Sequence, residues 1–281
     1  MKKIYLLGIL ATIMLAGCSS AKPAESTSAS ADTSAVESKA DETSTASSEN
    51  KTTFTVGFDQ DFPPMGFVGD DGEFTGFDLE LAAEAAKRMG KEIKYQPISW
   101  DAKDMELTSG NIDCIWNGFS IQGREDKYTW SKPYMKNDQV FVVKSDSSID
   151  SIEDLAGKTV EVQTDSSAEA ALKENTELAN TFSKLQTVAD YNTGFMDLEM
   201  GGVDAIAMDS VVANYQITKR GGNGFTVLDT PLSSEEYGIG FKLGNETLRN
   251  EVQKALEDMK ADGTMKTISE KWFGKDVTTL E

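Results

Sequence analysis

One residue able to do chemistry is missing altogether: the 281-residue chain contains no histidine. That removes the commonest general base and the commonest metal ligand, so Ser-His and Cys-His hydrolases are excluded and a zinc enzyme is disfavoured. Two cysteines are present, Cys18 near the start and Cys114 inside the apolar run 112–116. Cys114 is left without an intramolecular disulfide partner and reads as a small buried hydrophobe. What remains is charge and hydrogen-bonding capacity at points where a folded backbone can present them. Ser166 and Ser167 open the helical stretch SSAEAALKEN. A helix N-terminus has free N–H donors and about half a positive charge, which suits an anion. Asp209 stands at the end of the strand-like stretch VDAIAMD, the end at which open parallel sheets present their ligand groups.

The elements that must position these groups follow from periodicity. In residues 54–58, Phe54, Val56 and Phe58 alternate with smaller residues, a strand signal. From Gly76, an apolar stripe of Leu79, Ala82, Ala86 and Met89 predicts a helix that Asp78 can cap and Gly90 can stop. Strands fit 92–98 and 111–116, with a short helix over 102–109 between them. After a strand at 139–144 the alternation restarts: strand, helix, strand, helix, a strand at 203–208, then VVANYQITKR and GFTVLD. Two α/β lobes of similar size result, each an open, mainly parallel sheet covered by helices. The tail adds a strand at 237–241 and two helices, one with Leu248, Val252, Leu256 and Met259 on one face, the other with Met265, Ile268 and Trp272. Periodicity leaves open which lobe they join.

The beginning of the chain belongs to another compartment's grammar. Lys2 and Lys3 precede an apolar run over 4–15, shorter than the ~20 residues that span a bilayer, so residues 1–17 read as a signal peptide. The ending Leu15-Ala16-Gly17-Cys18 resembles the bacterial lipobox, whose cysteine thiol is diacylated. Lipidation at Cys18 would anchor the protein firmly, since each buried methylene contributes ~0.8 kcal/mol. Residues 18–51 are almost wholly Ser, Thr, Ala, Glu, Asp and Lys without an aromatic, the composition of a disordered tether. A net charge of −20 argues against nucleic-acid partners.

From residue 54 to 274 the chain resembles the polar amino-acid solute-binding proteins of ABC importers, similar to the glutamine-, histidine- and lysine/arginine/ornithine-binding types. The matching blocks are FDQDFPPMGF, GEFTGFDLELA, LTSGNIDCIWNGFSI, WSKPY, IEDLAGKTVEVQ, MGGVDAIAMD, YGIGF and DGTMKTISEKWFG. The resemblance implies a periplasmic binding protein-like type II α/β fold, with two lobes joined by two hinge strands at 139–144 and 235–241. Lobe 1 would comprise 52–140 plus 238–281, and lobe 2 residues 141–237, with a ligand between them.

The same resemblance implies a site. Arg124 would take the α-carboxylate with Ser166 and Ser167, a guanidinium fork being suited to two oxygens. Its spacing from Gly118 is one residue shorter than in the glutamine-binding type, which requires a tightened turn. Asp165 stands where the family usually has glycine and is expected to face solvent or cap the helix. Asp209, with the Gly118 carbonyl and Ser120, would take the ammonium. Phe62 and Trp100 would bracket the aliphatic part, and Asp59, Asn117 and Gln163 would meet the far end of the side chain. That mixture leans to glutamine, with cystine and the basic amino acids open. No catalytic residue, metal or cofactor is expected. The partners would be the permease and ATPase of the importer, and the location the outer face of the cell membrane, a Gram-positive surface favoured over a periplasm, with the protein a monomer. The alternatives are a dehydratase-like enzyme and a ligand-sensing surface protein on the same fold.

Overall fold

The computed structural model describes residues 52–281. The signal-peptide reading of 1–17, the lipidation of Cys18 and the tether reading of 18–51 lie outside the described residues. Among the described residues no helix is long and apolar enough to cross a membrane.

The chain opens with β1 (Thr53–Phe58) and a three-stranded ribbon, β2 (Asp61–Phe62), β3 (Gly66–Val68) and β4 (Phe74–Thr75). Helix α1 (Phe77–Arg88), β5 (Glu92–Pro97), α2 (Lys103–Ser109), β6 (Cys114–Ser120) and β7 (Thr129–Trp130) follow. The long β8 (Met135–Lys144) leads to β9 (Thr159–Gln163), α3 (Ser167–Glu174), α4 (Thr176–Ala179), β10 (Lys184–Val188), α5 (Tyr191–Met200), β11 (Ala205–Asp209), α6 (Ser210–Lys219) and β12 (Phe225–Val227). Last come β13 (Ser233–Phe241), α7 (Glu246–Ala261) and α8 (Thr264–Phe273).

The strands run in the order β10-β9-β11-β8-β13-β6-β1-β5, and the two central strands explain the two-lobe design. Residues 135–139 of β8 pair antiparallel with 233–237 of β13. Beyond that ladder they diverge, β8 continuing against β11 and β12 and β13 continuing against β6 and β7. The chain therefore crosses between the lobes twice, once in each direction. Parallel pairing holds in the outer strands, β1 with β5 and β6, and β9 with β10 and β11. It fails in the middle because two crossings in opposite senses must lie antiparallel.

One apolar cluster runs from Val56 and Leu79 through Tyr237 to Phe195 and Ile206, and a second lies wholly within residues 141–228. Phe141, Val143, Leu155, Val160, Val162 and Leu172 fill the core under α3. On the other side α1 buries Leu79, Ala82 and Ala86, as its stripe requires. The tail helices pack on α1, with Leu248, Val252, Leu256 and Met259 of α7 buried. Each such Leu, Val or Met contributes roughly 1.5–3 kcal/mol by leaving water.

The N-terminus of α1 differs from the sequence expectation. Its capping position is Gly76 at φ 145°, where a Cβ would lie 2.3 Å from the Met65 carbonyl oxygen. Asp78 does not cap. It is fully buried, accepting from the Gly118 amide at 2.6 Å and from the Tyr134 hydroxyl at 2.8 Å. Burial pushes its carboxyl up to about 7. A carboxylate placed to bind a backbone amide on β6 has more to gain than one left in solvent at a helix end, because Gly118 would otherwise carry an orphaned buried donor.

Candidate functional site

Between the lobes lies a narrow cavity. Eight of the eleven candidate residues line it: Phe62, Trp100, Asn117 and Gly118 from one side, Gln163, Ser166, Ser167 and Asp209 from the other. Arg124, Ser120 and Asp59 sit immediately behind, each tied to this wall or aimed past it.

Arg124 follows β6 in a tight turn. Its amide donates to the Ile121 carbonyl at 2.9 Å, and Gly123 supplies the left-handed residue at φ 73° that such a turn requires. The Trp130 indole donates to the Arg124 carbonyl at 3.0 Å, fixing the turn from the sheet side. Arg124 is 7 % exposed, and its guanidinium lies 5.3 Å from the Phe119 ring centroid and reaches across the cleft. One nitrogen donates to Ser167 Oγ at 2.8 Å, the other to the Asp165 carbonyl at 3.2 Å. Ser166 caps α3, its Oγ accepting from the Glu169 amide at 3.1 Å. The amides of Ser167 and Ala168, at the start of α3, lie outside the helix ladder, and the guanidinium reaches the same end of the helix through Ser167 Oγ.

Asp165 does not cap α3; as expected, its side chain is exposed to solvent. It adopts φ 58°, the only left-handed non-glycine among the described residues, a conformation that glycine adopts without steric cost. Its carboxylate pairs across the cleft with Lys103 of α2, which is 1 % exposed and also lies 5.2 Å from the Trp100 ring centroid. Burial lowers the Lys103 pKa, with Asp165 opposing. This ion pair joins the two lobes directly and therefore exists only while they are together.

Asp209, at the end of β11, is 4 % exposed. Its Oδ1 accepts from the Tyr237 hydroxyl at 2.6 Å, from Gln139 Nε2 at 2.9 Å and from Asn137 Nδ2 at 3.0 Å. Burial, and then the neighbouring Glu235, push its pKa well above the usual carboxylate range. Gly118 has φ 56°, and a Cβ there would press on the Phe62 and Tyr237 rings at 3.0 and 3.2 Å. Only glycine leaves the space between those rings open. The Ser120 hydroxyl is buried without a hydrogen-bond partner among the described residues, as is Asn117 Nδ2.

Phe62 tilts against Tyr191, and Trp100 stands edge-on to Phe119, so both rings are braced. Asp59 accepts from Gln163 Nε2 at 2.7 Å and from the Asp61 amide at 2.9 Å. Its own amide donates to Asn117 Oδ1 at 3.1 Å. Burial raises the Asp59 carboxyl to about 6. Trp100 and the Gln163 to Asp59 bond separate the inner cavity from a solvent-open chamber lined by Asp59, Asp61, Asp101 and Asp190, with no Lys or Arg among its lining residues.

Several participants escape a reading by motif: Lys103, and the set Asn137, Gln139, Glu235 and Tyr237 around Asp209. The second set had a signal, polar residues spaced two apart on long strands, which places both members on one face.

A profile described as bacterial extracellular solute-binding proteins, family 3, matches residues 54–275. A prokaryotic membrane lipoprotein lipid attachment site matches residues 1–19. The L-cystine-binding protein TcyJ of Escherichia coli (strain K12) is 34 % identical over 276 residues, covering 97 % of this chain and 96 % of that protein. The L-cystine-binding protein TcyA of Bacillus subtilis (strain 168) is 32 % identical, over 83 % of this chain and 85 % of its own. Among solved structures, an ABC uptake transporter substrate binding protein from Streptococcus pneumoniae with bound histidine superposes with a TM-score of 0.79 at 38 % identity, covering 81 % of this chain and 95 % of that one.

Proposed function

We propose, from the premise that this chain belongs to the bacterial extracellular solute-binding proteins of family 3, that it holds one L-amino acid between its lobes and hands it to the permease and ATPase of an ABC importer. It acts as a monomer without chemistry on its guest, anchored through lipid on Cys18 at the outer face of the membrane, on a Gram-positive surface. One observation carries the reading. Arg124 and Asp209 are both buried at the cavity, from opposite lobes, and among the described residues neither has an oppositely charged partner within ion-pair distance. A buried guanidinium without a counter-charge is costly, and a carboxyl buried like Asp209 ionises readily only beside a cation; an α-amino acid supplies the partner of each.

In this reading Arg124, Ser167 and the start of α3 receive the α-carboxylate. Asp209 receives the ammonium, with the unpartnered Ser120 hydroxyl and the Gly118 carbonyl as further acceptors. Phe62 and Trp100 bracket the aliphatic stem. The far end passes Asp59, Asn117 and Gln163 toward the acidic chamber. Four aspartates without a cation favour a guest whose far end is positive, which moves the assignment from glutamine to arginine, lysine or cystine. Cystine, which TcyJ and TcyA are named for binding, would place its second ammonium among the aspartates and leave its second carboxylate to solvent.

Titration calorimetry on the protein from Ser19 onward, with the twenty common amino acids, ornithine and cystine, tests this. The expected result is that L-cystine or L-arginine binds at least about tenfold tighter than L-glutamine. Glutamine ranking first would refute the positive far end, and silence across the panel would refute amino-acid binding itself.

A further inference from the structure

Asp209 does not stand alone behind the cavity. Glu235 on β13 is 5 % exposed, and its Oε1 accepts from Asn137 Nδ2 and from Gln139 Nε2, each at 2.7 Å. The same two amide groups donate to Asp209 Oδ1. Two buried carboxylates are thus bridged by one pair of amides, both on β8, and Glu235 lies on β13, the other strand that crosses between the lobes. The other titratable groups facing Asp209 are Tyr237 of β13, which donates to it, and the buried Tyr191 of α5. Past Tyr237 stand Tyr134 and the buried Asp78. Lys136 lines the outer pocket beside Glu235 but is exposed and forms no ion pair with it. No cation among the described residues compensates the pair.

Two adjacent carboxylates in a site of low polarity cannot both ionise unless a positive group joins them. Burial and Glu235 both act on Asp209 in that direction. We propose that Glu235 is a positioning residue of the ammonium site, and that capture of the guest exchanges a proton held by the Asp209–Glu235 pair for the guest's ammonium, releasing that proton to solvent. The balance is simple. A pair holding one proton carries a single negative charge. When the carboxyl O–H bond of Asp209 breaks and an ammonium N–H donates to the freed carboxylate, pair plus ammonium again carry a single negative charge. The buried charge at the crossing of the hinge strands is the same before and after capture, so the site never holds two uncompensated negative charges. The proposal rests on the reading that Asp209 receives the ammonium.

The sign of the pH dependence follows. The free protein binds the extra proton and the complex does not, so affinity rises with pH, about tenfold per unit, until the free pair has lost its proton. The test is titration of the protein from Ser19 onward with L-cystine and with L-arginine, in phosphate and in Tris, whose protonation heats differ. The difference in heat counts protons released per guest, and repeating it from mildly acidic to mildly alkaline pH locates the break. Roughly one proton is expected for the wild type on the acid side of the break. Glu235→Gln keeps an oxygen for the two amide donors but removes the like charge, and should move the break down by at least about one pH unit while binding persists. Binding without proton release in the wild type overturns the proposal, as does a break unmoved by Glu235→Gln. Absence of binding with both guests, together with silence across the amino-acid panel, would instead overturn the amino-acid reading and this proposal together.

Discussion

Arg124→Ala is expected to weaken guest binding by 2–5 kcal/mol, roughly thirty- to several-thousand-fold in dissociation constant. The magnitude comes from what is left behind. A carboxylate drawn into a closed cleft loses its water, and the donors that would replace it are the guanidinium, the Ser167 hydroxyl and the first amides of α3. Ser167 and the amides are neutral, so removing the guanidinium leaves a buried anion with dipoles alone. The closed state also loses two contacts of its own, from Arg124 to Ser167 Oγ and to the Asp165 carbonyl. Arg124 lies in a loop and touches the apolar interior only through the Phe119 ring, so the alanine variant should lose less in unfolding free energy without guest than it loses in guest affinity. Arg124→Lys restores the charge but not the planar fork, and should recover only part of the affinity. Calorimetry with L-arginine and L-cystine checks all three proteins, and undiminished affinity in the alanine variant would move the carboxylate site elsewhere.

Asp209→Asn is expected to cost a similar amount from the opposite lobe. Asparagine keeps the shape and an oxygen for Tyr237, Gln139 and Asn137, so the crossing strands should hold. What disappears is the counter-charge for an ammonium in a place almost sealed from water. A thermal shift series shows this directly: guest at ~100 times the wild-type dissociation constant stabilises the wild type by ~2.7 kcal/mol and should leave the variant nearly unmoved. Stabilisation equal to the wild type's would mean that the ammonium lies elsewhere.

Much of this was legible before any coordinates. The apolar stripes of α1 and α7 announced both helices and the face each buries, because a period of 3.6 leaves few alternatives. The cleft residues were legible only through resemblance. Nothing in periodicity distinguishes Asp209 from any other aspartate that ends a strand, or Arg124 from a surface arginine beside Glu125 and Asp126.

What escaped did so for stated physical reasons. Alternation along β8 and β13 says that residues share a face, not which strand lies alongside or in which direction, so the antiparallel centre and the meeting of Asn137, Gln139 and Glu235 were invisible. Glu235 and Asn137 are paired across 98 positions of sequence. Asp78 carries every mark of a helix cap, and lost that role to a backbone amide on a strand forty residues away. Asp165 looked like a misplaced charge at an anion site. Its left-handed backbone turns the carbonyl to Arg124 and its carboxylate to Lys103, a geometry that depends on both lobes being in contact.

The most direct test of the central claim is a crystal structure of the protein grown with L-arginine or L-cystine. It should show the α-carboxylate on Arg124 and Ser167, the α-ammonium on Asp209, and the stem between Phe62 and Trp100. A guest whose carboxylate and ammonium both point away from those two side chains would contradict it.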